Sequence, residues 1–152
     1  MMKKQFEILR KTRAFLLSLL EQLSPEQLNK IPAGFNNNII WNVAHMVAAQ
    51  QGVCYVRAGL PLVVEDAFFQ NYKSDTHPAA ALSEAQIAEI NRLLLSTIDT
   101  LEMDYNEGLF NANPAWTNRY SVEHENIEQS ITFLLFHDGL HIGCIMAMRK
   151  LL

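Results

Sequence analysis

Apolar residues recur every three or four positions through four long stretches of this chain, a period that admits little besides packed helices. In the first stretch, from about Lys3 to Leu23, Phe6, Leu9, Leu16, Leu20 and Leu23 form one stripe, with Lys and Arg on the other positions. The second runs from Ile39 to about Ala58. One of its faces carries Ile40, Val43, Val47 and Cys54; an adjacent face carries Trp41, His45, Ala48, Gly52 and Tyr55. The third continues to about Met103 and places Ile87, Ile90, Leu94, Ile98 and Leu101 on one side. The fourth carries Ile127, Ile131, Leu134, Leu140, Ile142, Ile145 and Met148.

Local punctuation agrees with the period. Ser24-Pro25-Glu26-Gln27 and Ser83-Glu84-Ala85-Gln86 read as capping boxes, in which the serine oxygen accepts from a first-turn amide and the glutamine reaches back. Asn38 suits the start of the second long helix, and Gly59 and Pro61 its end. A glycine inside a helix weakens it by roughly 1 kcal/mol against alanine, so Gly52 points to close packing. Ser121 is the expected cap of the last helix, with Glu123 and Glu125 in its first turn, where carboxylates complement the helix dipole. Strand signals are almost absent. Residues 60–82 make a connection too long for a tight turn, with a short helix expected near Asp66–Gln70. Residues 104–120 are rich in turn formers. The expected fold is all-α, a four-helix bundle with a long crossover connection, forming a single domain over residues 1–152.

Composition excludes some partners. The net charge is −4, which offers no basic surface for phosphates and speaks against nucleic-acid binding. No uninterrupted apolar run reaches the ~18 residues of a membrane span. The run Ala14–Leu20 leads straight into Glu21-Gln22, without a cleavage site, and reads as helix rather than export signal. Cys54 and Cys144 form no CxxC pair, so reduced thiols in a cytoplasm are the expectation.

The chemistry resides in histidine. Of the five, His137 and His141 stand four apart in the last stretch, which puts both imidazoles on one helix face, able to converge on one ion. Two neutral imidazoles on a buried-looking stripe need partners for their nitrogens, and an ion satisfies both at once; bonds to backbone or water are the alternative. His45, flanked by small residues on another helix, is the candidate third ligand. His77, before Pro78 in a loop, and His124, in the expected first turn of the last helix, read as surface residues. Asp138 lies about 100° round the helix from His137 and suits a surface or supporting role rather than ligation. Cys144 reads as a small buried hydrophobe.

These residues resemble a family. Leu23-Ser24-Pro25-Glu26-Gln27-Leu28, then Ile39-Ile40-Trp41-Asn42-Val43-Ala44-His45-Met46, and finally Phe136-His137-Asp138-Gly139-Leu140-His141-Ile142-Gly143 are similar in order and pattern to the DinB-like/YfiT-like superfamily of metalloenzymes. The resemblance implies a four-helix bundle, often dimeric, whose His45, His137 and His141 bind a divalent ion such as zinc or nickel. One departure is Cys144, where many members carry glutamine. Some relatives transfer low-molecular-weight thiols, others are isomerases or hydrolases, so membership does not select a reaction.

The constellation constrains the chemistry further. Three neutral imidazoles leave an ion its full charge and an open position, the arrangement of a catalytic site. Such an ion lowers the pKa of water toward ~7 and polarises a carbonyl, or holds a thiol as thiolate. The expectation is a metal-dependent enzyme on small molecules, of thiol-transferase or hydrolase type, with no general base identified. The alternative is a non-catalytic metal-binding or stress-response bundle acting through dimerisation. A di-iron carboxylate bundle is disfavoured, because only Asp138-x-x-His141 approaches its Glu-x-x-His pattern.

Overall fold

The computed structural model describes residues 2–152. Helix α1 spans Lys3–Leu20, and the short α2, Pro25–Asn29, starts in the expected capping box at Ser24. Helix α3, Ile39–Gln50, is capped by Asn38, whose side chain accepts from the Trp41 amide. It does not stay α-helical to Ala58: from Gln51 to Val56 it widens into a π-helix. Gly52 sits in that widened turn, with the Phe69 ring 3.5 Å from where a Cβ would stand. Helix α4 covers Asp66–Tyr72, slightly longer than expected. Helix α5, Glu84–Asn106, opens in the second capping box.

The last helix departs furthest from expectation. Helix α6 spans Ile127–Arg149 and is capped by Asn126, which accepts from the Gln129 amide at 3.0 Å. Ser121 caps nothing; it has φ 61°, in the turn of a small antiparallel hairpin. Strand β1, Trp116–Thr117, pairs with β2, Glu123–His124, in the register Trp116 to His124. The cause is Asn118, whose Oδ1 accepts from the amides of Tyr120 and Val122 and so closes a turn where a helix start was expected. Glu123 therefore lies in a strand, and Glu125 precedes the helix.

Helix α1 packs between α5 and α6, and so does α3. Helices α1 and α3 thus stand diagonally opposite, so the crossover is the segment holding α2 and not, as expected, residues 60–82, which join the neighbours α3 and α5. Two apolar clusters fill the interior. One gathers Leu16, Val43, Val47, Leu94, Ile145 and Met148; the other gathers Leu9, Tyr55, Ile98, Leu101, Ile131 and Leu134. Between the two, each long helix contributes a buried polar residue to one layer: Arg13, Gln50, Thr97 and Asp138. Arg13 donates to Asp138, Gln50 and the Leu94 carbonyl, and Gln50 donates to the Thr97 carbonyl. Arg13 thus departs from the expectation that the Lys and Arg of the first helix lie off its buried stripe, and of the two roles open to Asp138, surface or supporting, its burial leaves the supporting one.

Helix α6 is the one described helix long and apolar enough, by length and composition, to cross a membrane. It nevertheless carries the buried Asp138 and packs on α1 and α3, the setting of a bundle helix.

Candidate metal centre

His45 projects from α3, and His137 and His141 from successive turns of α6. Their rings meet with centroids 4.5 Å apart for His137–His141, 4.8 Å for His45–His141 and 5.2 Å for His45–His137. One nitrogen from each lies within 4.8 Å of the other two, close enough for the three to face a single ion. The spacing expected from sequence thus brings all three together.

Hydrogen bonds assign the tautomers of two rings. His45 Nδ1 stands 2.7 Å from the Tyr72 carbonyl oxygen, which only accepts, so Nδ1 carries the proton and Nε2 the lone pair. His141 Nδ1 stands 2.8 Å from Asn42 Oδ1. The Asn42 amide nitrogen is already directed at Asn37 Oδ1 and the Asn38 carbonyl, which turns Oδ1 toward His141 and places a proton on its Nδ1 too. Donating the outer N–H to an oxygen is how metal-binding imidazoles are usually oriented. Trp41 stacks on His45 with rings 4.8 Å apart and 6° from parallel, which holds the plane of that imidazole.

Electrostatics keep these rings neutral. Burial, foremost, lowers the pKa of His45 to about 4, against the hydrogen bond that its Nδ1 donates to the Tyr72 carbonyl; the neighbouring His137 and the Arg119 charge lower it a little further. Burial likewise lowers His141 to about 3, reinforced by the other two histidines. Neutral imidazole is the ligating form.

His137 completes the fit. Its Nδ1 is buried and has no hydrogen-bond partner, and the nearest carboxylate oxygen, Asp138 Oδ1, is 4.0 Å away. A buried nitrogen without a partner, beside two lone pairs held in place, is the donor set of a divalent ion. The trio fits such an ion. Asp138 is not a ligand. Burial opposes its charge, yet the Arg13 guanidinium beside it keeps its carboxyl below the usual range.

The remaining candidates lie elsewhere. His77 is exposed in the α4–α5 connection. His124 is buried, contrary to expectation: as a strand residue it stacks on Trp116 at 4.4 Å and accepts from Asn118 at 3.0 Å. Cys144 is half-buried against the apolar cluster, and burial raises its pKa. Sequence reasoning missed Asn42 and Tyr72. Asn42 left a trace, a polar residue within the apolar run Ile39–Val43, whereas Tyr72 acts through its backbone and left none.

Beside the trio a cleft of about 430 Å³ is lined by Trp41, Tyr72, Asp75, Thr76, His77 and Gln86, among others. Trp41 and Tyr72 both touch His45, so the cleft shares a wall with the histidines.

Fold and site together define an all-α bundle with a three-histidine centre able to hold a divalent ion. The family model of the DinB superfamily matches residues 8–145, and the chain belongs to that superfamily. Comparison with curated proteins yields no match.

Proposed function

We propose that this protein is a divalent-metal-dependent enzyme acting on small molecules, of thiol-transferase or hydrolase type. The observation that carries the reading is the convergence of three imidazoles beside a cleft of mixed polar and apolar lining, with His137 and His141 only half-buried. A site of purely structural use is normally closed by a fourth protein ligand; this group offers three histidines and no carboxylate or thiol.

When bound, the ion lowers the pKa of a coordinated water or thiol and polarises a substrate carbonyl. The chain's own residues do the rest. Asn42 and the Tyr72 carbonyl hold His141 and His45 with their Nε2 atoms inward. Trp41 keeps the His45 ring from swinging and walls the cleft. Zinc and nickel both accept imidazole ligands, and a low-molecular-weight thiol is the co-substrate of the transferase form.

The protein acts in the cytoplasm as a homodimer. In support of the dimer, α6 leaves Leu140 and Met146 exposed on its outer side, with Gly139 and Gly143 beside them and open space beyond both glycines. The other reading, a non-catalytic dimeric metal-binding bundle, shares these features but leaves the cleft without a use.

The test is elemental analysis of the purified protein, followed by thiol–electrophile and ester panels on the same sample before and after chelation. Metal-dependent turnover is expected. Full metal content with no turnover in either panel would favour the non-catalytic bundle.

A further inference from the structure

Six arginines occur in the chain. Arg10 pairs with Asp99 and Glu102, Arg13 with Asp138, and Arg92 with Glu89. Arg57 lies over the Trp116 ring, and Arg149 donates to Gln22. Arg119 alone has no hydrogen bond, ion pair or aromatic contact among the described residues. It is exposed at the turn between β1 and β2.

That turn is neither loose nor remote. Asn118, the residue before Arg119, closes it through Oδ1 to the amides of Tyr120 and Val122 at 2.9 and 3.1 Å. Its Nδ2 stands 3.0 Å from the buried His124. Trp116 donates from Nε1 to Ser130 Oγ at 2.9 Å, which fastens the hairpin along α6. Tyr120, the residue after Arg119, sets its ring edge-on to Phe136 at 5.5 Å, and Phe136 directly precedes His137. The backbone of Arg119 is therefore held at the level of the histidines.

We infer that Arg119 recognises a carboxylate on the small molecule that this centre takes, while the molecule's reacting group lies at the three histidines. This deepens the proposed function and rests on it. A guanidinium presents a planar pair of donors that matches a carboxylate, and one without an internal partner is free to receive it. The half-exposed rings of Tyr120 and Phe136 beside it offer apolar contact for the carbon skeleton. The substrate class is a small carboxylic acid bearing a thiol or another metal-seeking group.

The test compares 3-mercaptopropionate with the uncharged 3-mercapto-1-propanol on cobalt(II)-loaded wild type and Arg119→Gln, followed by the thiolate-to-cobalt absorption band. Thermal melts of the two proteins should coincide, because Arg119 holds nothing in the fold. In wild type the carboxylate should bind roughly tenfold tighter than the alcohol. In Arg119→Gln that preference should collapse to about twofold or less, with the alcohol unchanged. An equal preference in both proteins would overturn the inference. A second readout follows the Arg119 Nε–H resonance of the zinc-loaded protein. It should shift with 3-mercaptopropionate and not with the alcohol. Should neither thiol perturb the cobalt spectrum, the thiolate form of the proposed function falls, and this resonance alone decides: a carboxylate-specific shift upholds the role of Arg119, and no shift overturns it.

Discussion

Arg13 and Asp138 meet side-on in the middle of the bundle, Nε to Oδ2 at 2.7 Å and Nη2 to Oδ1 at 3.3 Å, with neither residue more than 1% exposed. The pair joins α1 to α6 one residue away from His137. Arg13 also donates to Gln50 and the Leu94 carbonyl, so a single guanidinium reaches all the other long helices. A polar layer of this kind sets the register in which helices pack, and here that register aligns His45 of α3 with the two histidines of α6.

Removing one partner leaves the other charged, buried and alone. Asp138→Leu and Arg13→Met should each lower stability by roughly 3–5 kcal/mol. The double variant should recover much of that loss, because apolar side chains replace the whole pair. Urea unfolding of the four proteins gives the double-mutant cycle. Additive losses would show that the two residues act independently.

Asn42 holds His141 without touching an ion. Asn42→Ala should weaken metal binding by roughly 10–100-fold while leaving the helical content unchanged. Competition with a chromophoric chelator measures the first and circular dichroism the second. Unchanged affinity would remove Asn42 from the support of the site.

The metal-free protein should lose stability on mild acidification. His45 and His141 titrate in the fold at about 4 and about 3, below the 6.5 of an unperturbed histidine. As pH falls below about 6.5 the unfolded chain takes up protons that the folded one refuses, so stability declines toward pH 4 and is flat in this respect above neutrality. Over its full range the loss is on the order of 3 kcal/mol for His45 and about 5 kcal/mol for His141. Denaturation of chelated protein between pH 7.5 and 4.5 measures the slope, which should be reduced in His141→Gln.

Chelation should leave the bundle folded. Two apolar clusters and the Arg13–Asp138 pair hold the helices together without using a histidine side chain, so circular dichroism should retain its helical signal after metal removal. Collapse of that signal would make the ion a structural necessity.

The four long helices were legible because each keeps a 3–4-residue stripe and, in α3 and α5, a clear capping residue. The three histidines were legible because i, i+4 spacing and shared helix faces are properties of sequence. The polar layer was not, although Arg13 stands in the gap between Leu9 and Leu16, on their stripe: a charged residue in an amphipathic helix reads as solvent-facing until its partner is visible. The hairpin was hidden because two-residue strands carry no period, and the hydrogen bonds of Asn118 that create it reach only neighbouring residues. The π-helical end of α3 escaped because nothing in Gln51–Val56 distinguishes it from ordinary helix. Arg119 could be numbered but not placed, since its position depends on that hairpin.

The most direct measurement is the metal content of the purified protein beside those of His45→Ala, His137→Ala and His141→Ala. Wild type should carry about one divalent ion per chain, and each variant should lose it while staying folded. Equal metal content in all four proteins would contradict a three-histidine centre.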